Sequence, residues 1–243
     1  MPARLYVDLP LSPAAALALP ADAARHVQVL RLQPGDAITL FNGQGGEWAA
    51  EVTRMGRQSV DVRVGAHDPV ERELSCEVTL VAGMPANDRF DWLIEKATEL
   101  GVSAIEPVQC ERSVLRLSGE RAERKREHWL GVAISAAQQC GRTRVPRIAP
   151  VRSLAQALAA EDATDGAARL LLSLGDSRPL AERLDAALPQ TRQLRFYSGP
   201  EGGLSPSEEA TLRAHGALGT SLGPRVLRAE TAPLAVLATL ASR

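Results

Sequence analysis

The chain has 243 residues, 45% hydrophobic and 23% charged, enough for one large or two modest globular domains; this excludes a disulfide-stapled mini-protein and a disordered tail. Its formal charge of -1, from 28 basic and 29 acidic residues, argues against coating nucleic acid through bulk charge. The basic set is 26 Arg and only 2 Lys, which beside 39 Ala reflects either a GC-rich genome or a use for the planar guanidinium in phosphate or base recognition.

The first 23 residues have the Ala/Leu content of a signal peptide, but Asp8, Pro10, Pro13 and Pro20 interrupt the apolar run, so they read as a strand followed by a loop. Up to Arg72 short alternating segments predict strands at 37–41, 48–52 and 59–64. The glycines of Asn42-Gly-Gln-Gly-Gly46 supply a hairpin turn between the first two. No helix pattern follows that turn, so it does not read as a phosphate loop. From Leu74 strands alternate with amphipathic helices, the pattern of an α/β domain with a parallel sheet. Strands are expected at 77–82, 104–108, 170–174 and 194–198. A helix capped by Asn87 or Asp88 carries Leu93, Ala97 and Leu100 and closes at Gly101. A long helix over about 120–139 places Trp129, Val132, Ala133, Ala136 and Cys140 on one face and Arg121, Arg124, Lys125 and Arg126 on the rest. The Ala-rich stretch 155–168 reads as a surface helix and loop, and the chain ends in a helix over 231–241. The break at 70–73 divides the chain into domains of residues 1–72 and 73–243.

No run approaches the roughly 20 apolar residues of a membrane span. Cys76, Cys110 and Cys140 lie far apart with no C-x-x-C pair, which indicates neither a zinc ribbon nor a disulfide framework and fits a reducing cytoplasm. No metal site is expected, since His26 has no partner at ligand spacing.

The densest chemistry is Gly199-Pro-Glu-Gly-Gly-Leu-Ser-Pro-Ser-Glu-Glu209, a glycine loop between a predicted strand and a helix whose start is marked by Ser205, Pro206 and Glu208 as a capping box. Strand, glycine loop and helix N-terminus together present backbone N–H groups at the carboxyl end of a sheet. A tight βα turn needs fewer glycines than this. Neither G-x-G-x-x-G nor G-x-x-x-x-G-K-[ST] occurs, so NAD or ATP held in those ways is not expected. A second segment, Leu222-Gly-Pro-Arg-Val-Leu-Arg-Ala-Glu-Thr-Ala-Pro-Leu234, leads through two arginines into the last helix; by itself it is equally a salt-bridged turn.

These two segments resemble the paired C-terminal motifs of the 16S ribosomal RNA uridine N3-methyltransferases, of the SPOUT class. Weaker matches upstream fall in the expected order: Arg25-His-Val-Gln-Val-Leu-Arg-Leu-Gln-Pro-Gly-Asp36, Glu95-Lys-Ala-Thr-Glu-Leu-Gly101, and Ala136-Ala-Gln-Gln-Cys-Gly-Arg142 with Val145-Pro146. The resemblance implies a mixed α/β protein: a small N-terminal PUA-like β-barrel, then a SPOUT α/β domain with a C-terminal trefoil knot. It implies a homodimer that binds S-adenosyl-L-methionine and acts on 16S ribosomal RNA, within a small ribosomal subunit. Cofactor roles carry over to Leu174, Gly175, Gly199, Pro200, Gly202, Gly203, Leu222, Gly223, Val226 and Leu227. Arg25, His26 and Arg31 resemble RNA-facing positions.

Methylating N3 of a uridine calls for alignment, for a cation near the uracil carbonyl oxygens and for removal of the N3 proton. Arg228, then Arg225, are the expected cations. Glu201 or Glu230 is the candidate proton acceptor, although a carboxylate in a glycine loop equally serves to hold neighbouring amides. From Arg112 to Arg147 there are nine basic residues against three acidic ones, a local excess expected to face RNA through Arg112, Arg124, Arg126 and Arg142. With aromatics at 3%, phosphate contacts rather than base stacking should dominate. Two other readings compete: a non-catalytic ribosomal RNA-binding module, and a small-molecule α/β enzyme.

Overall fold

A computed structural model describes residues 2–86, 88–161 and 166–243. They form two compact units, Met1–Glu73 with Ile134–Val145, and Leu74–Ala133 with Pro146–Arg243. Asn87, one of the two expected helix caps, lies outside the described residues, as does part of the Ala-rich stretch.

The first unit contains β1 (Ala3–Tyr6), β2 (Ala16–Ala18), α1 (Ala21–Val29), β3 (Ala37–Phe41), β4 (Glu47–Met55) and β5 (Val60–Asp68). They make a five-stranded sheet in the order β1-β3-β4-β5-β2, in which only the β1–β3 pair is parallel. Successive strand side chains face opposite ways, so Ala50 and Val52 of β4 and Val60, Val62 and Val64 of β5 enter one core with Leu5, Ile38 and Leu40. Helix α1 corrects the all-strand reading of this region. Its Ala23, Ala24 and Val27 lie on one side and are buried in the same core. At nine residues, with no side-chain cap, it is too short to impose a visible helical period.

Residues 134–145 join this unit through arginines on both sides, Arg4 and Arg72 donating to carbonyls of the segment and Arg142 of the segment donating to a carboxylate of the unit. Arg4 Nη1 donates to the carbonyl of Ala137 at 3.2 Å, and Arg72 Nη1 to that of Gly141 at 2.9 Å. Arg142, expected on an RNA-facing surface, is instead 4% exposed: Nε donates to Glu73 Oε1 at 3.1 Å and Nη2 pairs with Oε2. The correction has a simple cause, because a guanidinium taken out of water needs a bidentate carboxylate and Glu73 supplies one.

The second unit contains β6 (Glu77–Gly83), α2 (Arg89–Glu99), β7 (Ala104–Gln109), α3 (Gly119–Cys140, whose last residues belong to the first unit), β8 (Arg147–Ile148), β9 (Arg152–Ser153), α4 (Leu154–Ala159), β10 (Ala168–Leu172), β11 (Arg178–Pro179), α5 (Leu180–Ala187), β12 (Gln193–Ser198), α6 (Pro206–Ala214), β13 (Leu218–Ser221) and α7 (Thr231–Ala241). The sheet runs β11-β13-β10-β12-β6-β7-β8, with β9 also on β7, and every pair is parallel. Its central strands are covered on both faces, hence the unbroken buried runs Leu80-Val81-Ala82 and Phe196-Tyr197-Ser198. Asp88 stands at the N-cap of α2, but its side chain makes no capping bond, which corrects that expectation. Ser205 and Glu208 do form the expected capping box at α6, with Pro206 inside it. Because all strands are parallel, the segments after β10, β12 and β13 leave the sheet at one end. Helix α7 returns to pack on α2 and β12. Among the described residues no helix is long and apolar enough to cross a membrane.

Two stability outcomes are expected of the first unit. Arg142→Ala leaves Glu73 without its counter-ion and should lower the unfolding free energy by about 3 kcal/mol in urea denaturation. Burial pushes the Glu47 carboxyl up, but hydrogen bonds from Arg72 and Arg4 and their charges hold it below its ordinary 4.5. A depressed carboxyl contributes stability in full above that value and loses it as pH falls through the folded one. Glu47→Gln should therefore flatten the acid limb of a stability–pH curve.

Candidate functional site

At the carboxyl end of the parallel strands lies a cavity of about 540 Å3. Three chain segments build it. After β10 come Ser173, Leu174 and Gly175; after β12 come Gly199, Pro200, Glu201, Gly203 and Leu204; after β13 come Leu222, Arg225, Val226, Leu227, Arg228 and Ala229. Most of the residues expected to hold a ligand are thus brought to one place. Gly202, Gly223 and Glu230 are not on the lining. Leu174, expected at the end of a strand, lies beyond the end of β10 and is 61% exposed.

The glycine loop is tightly constrained. A Cβ on Gly199 would lie 2.6 Å from the Leu204 nitrogen, and one on Gly83 would lie 2.5 Å from the Pro200 nitrogen, so both sites admit only glycine without a backbone shift. Gly203 N donates to Pro200 O at 2.8 Å, closing the turn. The Glu201 carboxylate reaches away to the β6–α2 segment, where Oε1 accepts from Ala86 N at 2.8 Å and lies 3.5 Å from Arg89 Nη1. Such bonding is the loop-holding role open to a carboxylate there. Glu230, at the start of α7, is buried, and its Oε2 has no hydrogen-bond partner among the described residues.

The cavity's cations differ in what they are free to do. Arg225 and Arg228 are exposed, and their guanidinium groups have no hydrogen bond or ion pair among the described residues. Arg89, on the same cavity, is tied to Glu201. Arg89, Ser173 and Thr220, which lie outside both motifs, also line the cavity, as does Glu209 at the end of the glycine-dense segment. For Arg89 a signal does exist, because it opens the helix that follows a strand's carboxyl end, where such sheets bind ligands. Glu209 accepts from Ser173 Oγ at 3.0 Å and sits in the first turn of α6.

The basic stretch expected to face RNA is mostly engaged. Arg112 donates to the glycine loop, Arg116 to Glu111 O, Lys125 to Asp91, Arg126 to Glu123, Arg142 to Glu73, Arg144 to Glu71 and Arg147 to Glu106. Arg124 keeps only a loose pair with Glu120 at 3.7 Å, both widely exposed. In the first unit Arg25, His26 and Arg31 are exposed. No group of three or more potential metal ligands occurs among the described residues.

Residues 72–241 match the RNA methyltransferase domain family, and residues 19–65 match a PUA domain of RNA methyltransferases. The chain is 34% identical to ribosomal RNA small subunit methyltransferase E of Bacillus subtilis, over 88% of this chain and 84% of that protein. It is also 34% identical to the Mycobacterium tuberculosis protein of the same name, over 96% and 88%. Two solved structures are similar with TM-scores of 0.90. One is a Legionella pneumophila putative methyltransferase with bound SAM, 32% identical and covering 100% of this chain and 98% of that one. The other is a Neisseria gonorrhoeae ribosomal RNA small subunit methyltransferase E bound to S-adenosyl methionine, 34% identical and covering 98% and 96%.

Behind the glycine loop, burial pushes the Cys110 thiol up to about 12, with Glu208 adding to the rise. In the native protein a thiolate-selective reagent at mildly alkaline pH should label the partly exposed Cys140 and spare Cys110 until the chain unfolds, as peptide mapping would report.

Proposed function

Because this chain belongs to the RNA methyltransferase family, we propose that it is an S-adenosylmethionine-dependent enzyme that methylates N3 of a uridine in the 16S RNA of the small ribosomal subunit. The observation that carries the reading is the cavity after β10, β12 and β13, which joins a glycine loop, apolar walls and two arginines unpaired among the described residues.

The cavity fits the cofactor. Its volume suits a drug-sized molecule. At Gly199 the backbone runs close enough that no side chain is tolerated. Leu174, Leu222, Val226 and Leu227 offer apolar surface, and backbone amides and carbonyls of the three segments offer hydrogen bonds to a purine and a ribose. When bound, S-adenosylmethionine supplies an electrophilic methyl group.

The protein's own part is to bind, align and balance charge. Arg228, with Arg225 beside it in sequence, is placed to meet the uracil carbonyl oxygens, where negative charge grows as N3 loses its proton and attacks. A guanidinium with no partner among the described residues sacrifices no bond to them in doing this. Glu201 supports loop shape through Ala86, and Glu230, expected as the other proton acceptor, is buried away from the cavity lining and has no such role, so the N3 proton passes to water. Arg25, His26 and Arg31 on the PUA-like unit, with Arg124 and Arg126 on α3, are the proposed RNA-facing side chains; the buried Arg142 is not among them. The reading includes a homodimer acting in the cytoplasm, residues 1–72 as the RNA-binding domain and residues 73–243 as the methyltransferase domain.

Mapping modified nucleosides in ribosomal RNA from cells with and without the protein tests the reading, since it reports nucleotide and methylated atom together. Loss of an N3-methyluridine from 16S RNA is the expected result. An unchanged map, with RNA binding retained, favours a non-catalytic binding module. Arg228→Ala should lower kcat by about 100-fold while leaving cofactor affinity within a few-fold, measured by labelled methyl transfer and calorimetry.

A further inference from the structure

We infer that Arg112 is a positioning residue of the glycine loop, fixing the backbone that the cofactor meets, and is not primarily an RNA contact. The inference deepens the proposed function and depends on it. Arg112 comes after β7, 90 residues away from the loop in sequence, yet its Nη1 donates to the carbonyl of Gly202 at 3.1 Å and to that of Leu204 at 3.2 Å. The two carbonyls flank Gly203, the residue at φ +69° that turns the loop. A charged donor bonded on both sides of the turn fixes its orientation more firmly than neutral bonds would. Contact is also close along the stem: a Cβ on Gly202 would lie 3.0 Å from the Arg112 Cβ, so the loop and this side chain are packed as a pair.

Arg112 is itself held in place independently of its guanidinium. The neighbouring Glu111 N donates to Glu208 Oε1 at 2.9 Å, and Ser207 Oγ donates to Glu111 Oε1 at 3.0 Å. The other oxygen of Glu208 accepts from Ser205 N at 2.8 Å in the capping box of α6. Cys110 N donates to Ser113 Oγ at 3.0 Å, and Arg116 Nη2 to Glu111 O at 2.8 Å, so the turn carrying Arg112 is closed by its own bonds. One buried carboxylate therefore ties that turn to the helix start, and Arg112 adds the bond to the loop in front of it. Removing the guanidinium leaves the Glu111–Glu208 anchor intact, so the variant should fold with a loop free to reorient.

The test is calorimetric titration of the full-length protein with S-adenosylmethionine, as wild type, Arg112→Ala and Arg112→Lys. Affinity should fall by about tenfold or more in Arg112→Ala, the expected scale for two bonds from a charged donor. Arg112→Lys should be intermediate, since an ammonium is a point charge without the planar fork. Guanidinium ion at tens of millimolar should restore binding to Arg112→Ala and not to Arg112→Lys, which a general loss of stability would not produce. If Arg112→Ala binds the cofactor as tightly as wild type while its RNA affinity and salt dependence drop, Arg112 is an RNA contact and the inference is overturned. A loss of affinity that guanidinium does not restore also overturns it. A wild-type protein that fails to bind the cofactor overturns the proposed function and this inference together.

Discussion

The arrangement of the site depends on a backbone-to-backbone contact. Gly83 at the end of β6 lies against Pro200, and Gly199 at the end of β12 lies against Leu204, each so closely that a single methyl group would collide with main-chain atoms. Neighbouring strands β6 and β12 pair in register up to Ala82 and Ser198, so the sheet delivers these glycines to the same end together. Beyond Ser198 the chain is then constrained to turn within a few residues and enter α6 through its capping box. The cavity is the space left beside that turn. Side chains contribute its apolar walls and its cations, but the main chain sets its floor.

Around that floor the carboxylates act as struts. Glu201 ties the loop to the segment before α2, and Glu208 ties the start of α6 to the turn after β7. Glu209 holds Ser173, and Ser173 in turn accepts from Gly175 N at 3.1 Å, which shapes the segment after β10. All three glutamates lie within the one glycine-dense stretch, residues 199–209. In such a stretch the backbone has freedom that must be removed by specific bonds, because each fixed residue costs about 1–2 kcal/mol in conformational entropy. Acidic residues are suited to this, since one carboxylate accepts from several amides at once.

Much of this architecture is legible in the sequence and some is not, for identifiable reasons. The central parallel strands β6, β7, β10 and β12 are visible because burial on both faces makes them continuous apolar runs, and α7 because it is apolar and bounded by a turn, whereas β8, β9, β11 and β13 are too short to show a pattern. The loop Gly199 to Gly203 is visible because three glycines exceed what a turn needs. Helix α1 is hidden because nine residues carry only about two and a half helical turns of pattern. Ser173 and Thr220 are hidden because lining a cavity depends on which segments the sheet brings together, and no local spacing encodes that. The excess of arginines between Arg112 and Arg147 reads as a surface patch because a count of charges cannot see partners. Glu73, Glu71 and Glu106 lie 69, 73 and 41 residues away in the chain from the arginines they bind.

Partnering decides what an arginine can do, more than its charge does. Arg142 is buried against Glu73, and the half-buried Arg195 pairs with Glu106 and Glu161, so both are committed to the fold. Arg112 is half committed: Nη1 serves the glycine loop. The Arg225 and Arg228 guanidinium groups have no partner among the described residues, although several exposed carboxylates are present elsewhere on the same unit. A guanidinium already satisfied by a carboxylate would have to lose that bond before stabilising a developing charge, which cancels most of the gain. The segment after β13 avoids this by placing its arginines between a Gly-Pro turn and a helix with no acidic residue in its first turn. The nearest carboxylate in sequence, Glu230, is turned into the interior, so the cavity wall beside it carries positive charge that remains available to a substrate.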